Sequence, residues 1–242
     1  MDVDEALGAL PAVAVDDSWE GGANPMEAEL YGGALRITLP PSFRDVSAVR
    51  QVPDHQEVWA DLASPASLVL EIVEQQGGVA DGEAARYFWA DMLDFNGTAE
   101  RGWRELPEAA VGALLPAAFR DPRDARCGAA LACAGWQGAA PCGASAEPAA
   151  SSAAQGGASA ETAASASAAP SPQEAAVFVC LAVLRLPGVG SEVLVSLNTP
   201  LEAPEEAAGG QGPDPADVEG SAISLFTSTV ASLLVKDWAL FQ

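Results

Sequence analysis

The run from Gly138 to Pro172 is almost entirely Ala, Ser, Gly, Pro and Gln. It holds no large apolar side chain to offset the entropy of ordering it, so it is expected to be a floppy insertion that contributes nothing to a core. Any fold must therefore be assembled from the segments on either side. The chain has 242 residues, of which 49% are apolar, and that is enough for one good core. A disordered acidic arm over 1–29, followed by a single domain over 30–242, is the expected organisation.

Within that domain the periodicity alternates between two and three-to-four. Leu35, Ile37 and Leu39 alternate with Arg36 and Thr38, a half-buried strand stopped by Pro40 and Pro41. A short strand follows at Glu57 to Ala60, and Ser67 to Glu74 reads as a strand covered on one face, with a helix as the alternative. Asp81 is a candidate N-cap for a helix running to about Phe95, in which Ala85, Phe88, Trp89, Met92 and Leu93 share a face. Val177 to Leu186 is a buried strand by its aliphatic content, turned at Pro187 to Gly190 into Glu192 to Asn198. The stretch from Glu202 to Gly220 reads as a second mobile loop. Ile223, Phe226, Val230, Leu233 and Leu234 then predict a closing helix that ends near Lys236. The sum is an α+β sandwich.

Thirty-four acidic residues stand against eleven basic ones, for a formal net charge of −23. Such a surface repels phosphate backbones and anionic headgroups and suits a basic protein partner. Nucleic acid and membrane are not expected partners, and no apolar run approaches the roughly 20 residues a bilayer helix requires. The first 29 residues carry Asp2, Asp4, Glu5, Asp16, Asp17, Glu20, Glu27 and Glu29 and no Lys or Arg, unlike a secretory or organellar leader. A nuclear and cytoplasmic location is expected, where Cys127, Cys133, Cys142 and Cys180 stay reduced. They form no C-x-x-C pair and have one His to assist them, so no metal site is expected.

Simple counting also removes most enzymes. Lys236 follows no phosphate-binding loop, no G-x-G-x-x-G stands at a strand-to-helix turn, and no G-x-S-x-G supplies a nucleophile for His55. No cofactor and no covalent catalysis are expected. His55 reads as a solvated turn residue, Glu71 and Glu74 as acids of a solvated face, and Asn96-Gly97-Thr98 as a chance match to a glycosylation acceptor.

The densest group of unusual choices is Asp45-Val46-Ser47 followed by Arg50 to Val58. Pro53 fixes its own φ and drives Val52 toward an extended conformation, which stiffens the approach to Asp54. Asp54 and Glu57, three apart across a turn-to-strand junction, are candidates to converge on a partner's cation. Asp45, Pro53 and Gln56 support them. The alternative is local: an Asx turn at Asp54 and an ion pair between Glu57 and Arg50.

At these residues the chain resembles the Ran guanine nucleotide release factors, also called Mog proteins. The resemblance runs through Leu30-Tyr31-Gly32-Gly33-Ala34, Leu39-Pro40-Pro41, the Asp45-Val46-Ser47 turn, Val52-Pro53-Asp54-His55-Gln56-Glu57-Val58, Ser67 to Glu74 and Ala85-Arg86-Tyr87. It returns at Leu184 to Pro187 and at Val193 to Asn198. About half of the chain takes part, in order. The resemblance implies a central antiparallel sheet between helices, a fold shared with extrinsic proteins of the oxygen-evolving photosystem. It further implies binding of the GTPase Ran, with Ran-binding proteins as further partners, and promotion of nucleotide release in support of nuclear import by a monomer. The acidic pair that the family needs for Ran binding falls on Asp54 and Glu57. The competing readings are a photosystem-type structural protein and a Ran-independent acidic adaptor.

Overall fold

The computed structural model describes residues 24–47, 49–107, 128–139, 176–201 and 214–241. The expected acidic arm up to residue 23, most of the Ala/Ser-rich insertion, and residues 202–213 of the second loop lie outside the described residues.

The alternating apolar patterns become strands where the sequence placed them. Strands β1 (Met26–Leu30) and β2 (Leu35–Leu39) form a small antiparallel sheet. Strands β3 (Phe43–Asp45), β4 (Gln56–Asp61) and β5 (Ser67–Glu74) open a larger one. Helix α1 (Ala84–Asn96) follows, then β6 (Thr98–Glu105), β7 (Ala130–Ala139), β8 (Val177–Leu186) and β9 (Ser191–Pro200). Helix α2 (Pro215–Ala231) and β10 (Leu234–Val235) close the chain. The seven-stranded sheet has the order β3-β4-β5-β9-β8-β7-β6, antiparallel throughout, and the small sheet has the order β1-β2-β10. This is an α+β fold whose central antiparallel sheet lies between helices.

Strand β8 organises both layers. Val179, Leu181 and Val183 face α1, where they meet Ala85, Phe88 and Trp89. Phe178, Cys180, Ala182 and Leu184 face the other way, toward α2 through Ala222, Phe226 and Val230, and toward the small sheet through Leu30, Leu35 and Ile37. Each large side chain so buried stabilises the fold by about 1.5–3 kcal/mol. Burial pushes the thiols of Cys133 and Cys180 up to about 12, and both are free.

Four boundaries differ from expectation, each for a local reason. The first strand begins at Met26, inside the expected arm, because Ala28 and Leu30 alternate inward against Ile37 and Leu35 while Glu27 and Glu29 stay outside. The stretch expected to be mobile through Gly220 is helical from Pro215: Asp214 caps α2 by accepting the Ala216 N–H, with Pro215 in the first turn. That helix ends at Ala231, short of Lys236, since Leu234 and Val235 leave it to pair with β2. Gly138 and Ala139, expected in the insertion, complete β7.

Strands β6 and β7 were not expected at all. Polar β6 is an edge strand fastened on both faces: Glu100 binds Arg86 and the Trp89 indole of α1, while Arg104 binds Glu219 of α2 at 2.6 Å. Burial opposes the charge of Glu219, but the Trp136 indole and Arg104 outweigh it and hold the carboxyl below its usual range. In β7 the glycine is required, because a Cβ on Gly135 would collide with the Gly102 carbonyl at the bulge in β6.

The register also separates the two ends of the large sheet. Gln56 of β4, Glu74 of β5 and the β8–β9 turn lie at one end; Ala139, Val177 and Pro200 lie at the other.

Asp81 does not cap α1 with its side chain. It is drawn instead to Arg185, which sits in β8 on the α1 face and is 3% exposed. Arg185 donates Nε to Glu192 Oε1 at 2.8 Å, Nη1 to Asp81 Oδ1 and the Val79 carbonyl at 2.7 Å each, and Nη2 to the Gln76 carbonyl at 2.9 Å. The guanidinium thus sews the segment between β5 and α1 onto the β8–β9 hairpin. Glu192 is 0% exposed, so removing Arg185 strands a buried carboxylate. Arg185→Met is expected to cost about 3–5 kcal/mol in urea unfolding, and adding Glu192→Leu should restore much of it.

Candidate partner-binding surface

Five residues singled out from the sequence gather at one corner of the large sheet, where β3 and β4 form its edge. Pro53 accepts the Gln56 N–H at 2.9 Å, closing a turn with Asp54 and His55 at its tip. Asp54 is exposed and holds no hydrogen bond or ion pair among the described residues. The Asx turn weighed for Asp54 belongs to Asp45, whose carboxylate takes the Ser47 N–H at 2.7 Å and the Ser47 hydroxyl at 2.6 Å. Asp45 is therefore committed locally. Gln56 opens β4 opposite Glu71, and the half-exposed His55 imidazole stands 3.4 Å from the Glu71 carboxylate.

Glu57 occupies a different setting from Asp54. It shares a face of β4 with Trp59, opposite Leu70 and Leu68, and so looks toward the small sheet. Its Oε1 accepts the Tyr31 N–H at 2.6 Å, and no ion pair forms with Arg50. Glu57 lies in the expected strand, and there it is half-buried. Burial raises its pKa, the Tyr31 amide works in the opposite direction, and nearby Asp45 adds to the rise.

Tyr31 was part of the motif but not a candidate site residue. Its φ of +49° is the one positive value on a non-glycine residue among those described, and Gly32 and Gly33 continue the turn at +66° and +92°. Its hydroxyl lies 3.0 Å from the His55 carbonyl and 3.1 Å from that of Leu70. The Tyr-Gly-Gly spacing predicts a tight turn. That the turn reaches across to β4 is a tertiary fact with no local signal.

A family model described as Ran-interacting Mog1 protein matches residues 28–200. The chain belongs to this family. Among curated relatives, this Mog1-family chain is 41% identical over 81 residues to the Ran guanine nucleotide release factor of Danio rerio, a match covering 34% of this chain and 44% of the relative. It is 34% identical over 103 residues to the nuclear import protein MOG1 of Saccharomyces cerevisiae, covering 38% and 46%. The chain spans less than half the length of the curated relatives it matches. Among solved structures, a Mog1 glutamate-to-alanine mutant aligns with TM-score 0.55 at 22% identity, covering 91% of this chain and all of the other. The S. cerevisiae Ran-binding protein Mog1p aligns with the same score and identity over 90% of this chain and 99% of its own. These two structures share the fold.

The raised pKa of Glu57 has a definite sign. An acid whose folded pKa lies above its unfolded value favours folding below the unfolded value, and that contribution is lost as pH rises through the folded one. Glu57→Gln cannot ionise, so wild type should lose stability relative to Glu57→Gln as pH rises from about 4, the ordinary glutamate value, through the raised folded one, measured by urea unfolding at each pH.

Proposed function

We propose that this chain binds Ran and promotes release of its guanine nucleotide, in support of nuclear import and within the nucleus and cytoplasm, with Asp54 and Glu57 as the acidic pair of the contact. The observation that carries this reading is the exposed carboxylate of Asp54, held at the tip of a tight turn and uncommitted among the described residues. Family membership names the partner class, and the net charge of −23 suits a basic partner surface. No covalent step is assigned to the chain itself.

A GTPase holds its nucleotide through lysines and Mg²⁺ that neutralise the phosphates. A carboxylate that pairs with one of those cations, or keeps a switch loop away from the metal, binds the empty state better than the loaded one. Reciprocity of binding free energies then requires that it lower nucleotide affinity.

The test is release of a fluorescent guanine nucleotide from Ran. Asp54→Lys should slow release and weaken binding by about thirtyfold to several-thousandfold, the equivalent of about 2–5 kcal/mol for a disrupted charge pair. Its melting temperature should match wild type, since the side chain is exposed. Glu57→Lys should abolish binding and also lower stability by about 1–3 kcal/mol, because the Tyr31 N–H loses its acceptor. Glu74→Lys, an exposed acid outside the turn, is the control for global charge and should bind nearly as wild type does. Release by Asp54→Lys at the wild-type rate would place the contact elsewhere.

Salt gives a second measure. The association rate should fall steeply as ionic strength rises, because long-range attraction is screened beyond a Debye length of about 8 Å at physiological salt. A rate constant flat across that range would leave no role for steering by net charge.

A further inference from the structure

The two acids of the proposed contact are held in such different ways that one role does not fit both. Asp54 is exposed and uncommitted, whereas Glu57 is half-buried in β4 and already spends one carboxylate oxygen on the Tyr31 amide at 2.6 Å. That amide belongs to the one non-glycine residue with positive φ among those described, a conformation that persists only when its surroundings hold it. The surroundings are visible. The Tyr31 hydroxyl reaches the carbonyls of His55 and Leu70, and the Ala34 carbonyl at the end of the same turn accepts the Lys236 and Asp237 N–H groups at 2.8 and 3.1 Å. Glu57 is the charged member of this set and the one that joins Tyr31 to β4 through its side chain.

We propose that Glu57 is a positioning residue: its carboxylate clasps the Tyr31–Gly33 turn against the Pro53–Gln56 turn, so that both turns form one partner-facing surface on which Asp54 supplies the interacting charge. This rests on the Ran-binding reading above and divides the labour within it. A side chain that acts by accepting a hydrogen bond can be replaced by a neutral acceptor of the same shape; one that meets a partner's cation cannot. Glutamine offers a carbonyl oxygen where Glu57 offers Oε1, and asparagine does the same for Asp54.

The experiment compares Glu57→Ala, Glu57→Gln, Asp54→Asn and wild type, all as the full chain, by Ran affinity and by amide hydrogen exchange at Tyr31 and Gly32. Glu57→Ala should lose at least about tenfold in affinity, and Glu57→Gln should recover to within about threefold of wild type, while Asp54→Asn should lose at least about tenfold with unchanged melting. Tyr31 amide exchange should quicken in Glu57→Ala alone. A Glu57→Gln variant as weak as Glu57→Ala would show that the charge itself meets the partner and overturn the proposal. Unchanged Tyr31 exchange in Glu57→Ala would overturn it too, by removing the clasp. Should wild type fail to bind Ran, the partner reading falls, and the exchange measurement still decides whether Glu57 holds the turn.

Discussion

A ten-residue strand with no solvent face sets the terms for everything around it. Val177–Leu186 pairs along its whole length with β9 on one side and from Val177 to Leu184 with β7 on the other, and nearly all of its residues are buried. Apolar side chains leave it in both directions, so both faces of the sheet must be covered. One cover is α1; the other is α2 with the small sheet beside it. The single charged residue of that strand, Arg185, is tolerated because Glu192, Asp81 and two backbone carbonyls accept four of its five N–H donors. Satisfying it also fixes where the chain turns into α1.

How much of this could be read from the chain follows from where the information resides. Ser67–Glu74 and Val177–Leu186 are delimited to the residue by their own apolar patterns, because burial of one or both faces dictates the side chains themselves. Strands β6 and β7 carry no such signature. The first is polar and gains its place from side-chain bonds: Glu100 to the preceding helix α1, and Arg104 to α2 more than a hundred residues on. The second is mostly Ala and Gly, with Gly135 required where the Gly102 backbone approaches, and small residues look the same in a tight sheet as in a linker. Asp81 shows the reverse failure: a good local cap was outbid by a buried guanidinium more than a hundred residues away.

The candidate surface divides along the same line. The turn at Pro53–Gln56 and the exposure of Asp54 follow from local stiffness, and the sequence carries both. The attachment of Glu57 to Tyr31 spans 26 residues and two sheets, so nothing near either residue announces it. Two acids three apart in sequence therefore stand in unlike environments, because the strand begins between them and its pleat sends Glu57 toward the small sheet.

The register places the candidate surface and the points where the Ala/Ser-rich segment departs and returns at opposite ends of the large sheet. Ala139 and Val177 bracket that segment at one end; Gln56 and Glu74 mark the other. The ladder between β7 and β8 itself holds the two ends of that segment side by side, so the hairpin does not depend on what joins them. The far rim is accordingly a docking port for evolution and for the engineer alike: a fluorescent protein or an affinity handle spliced between β7 and β8 would be carried on the side of the molecule that faces away from Asp54.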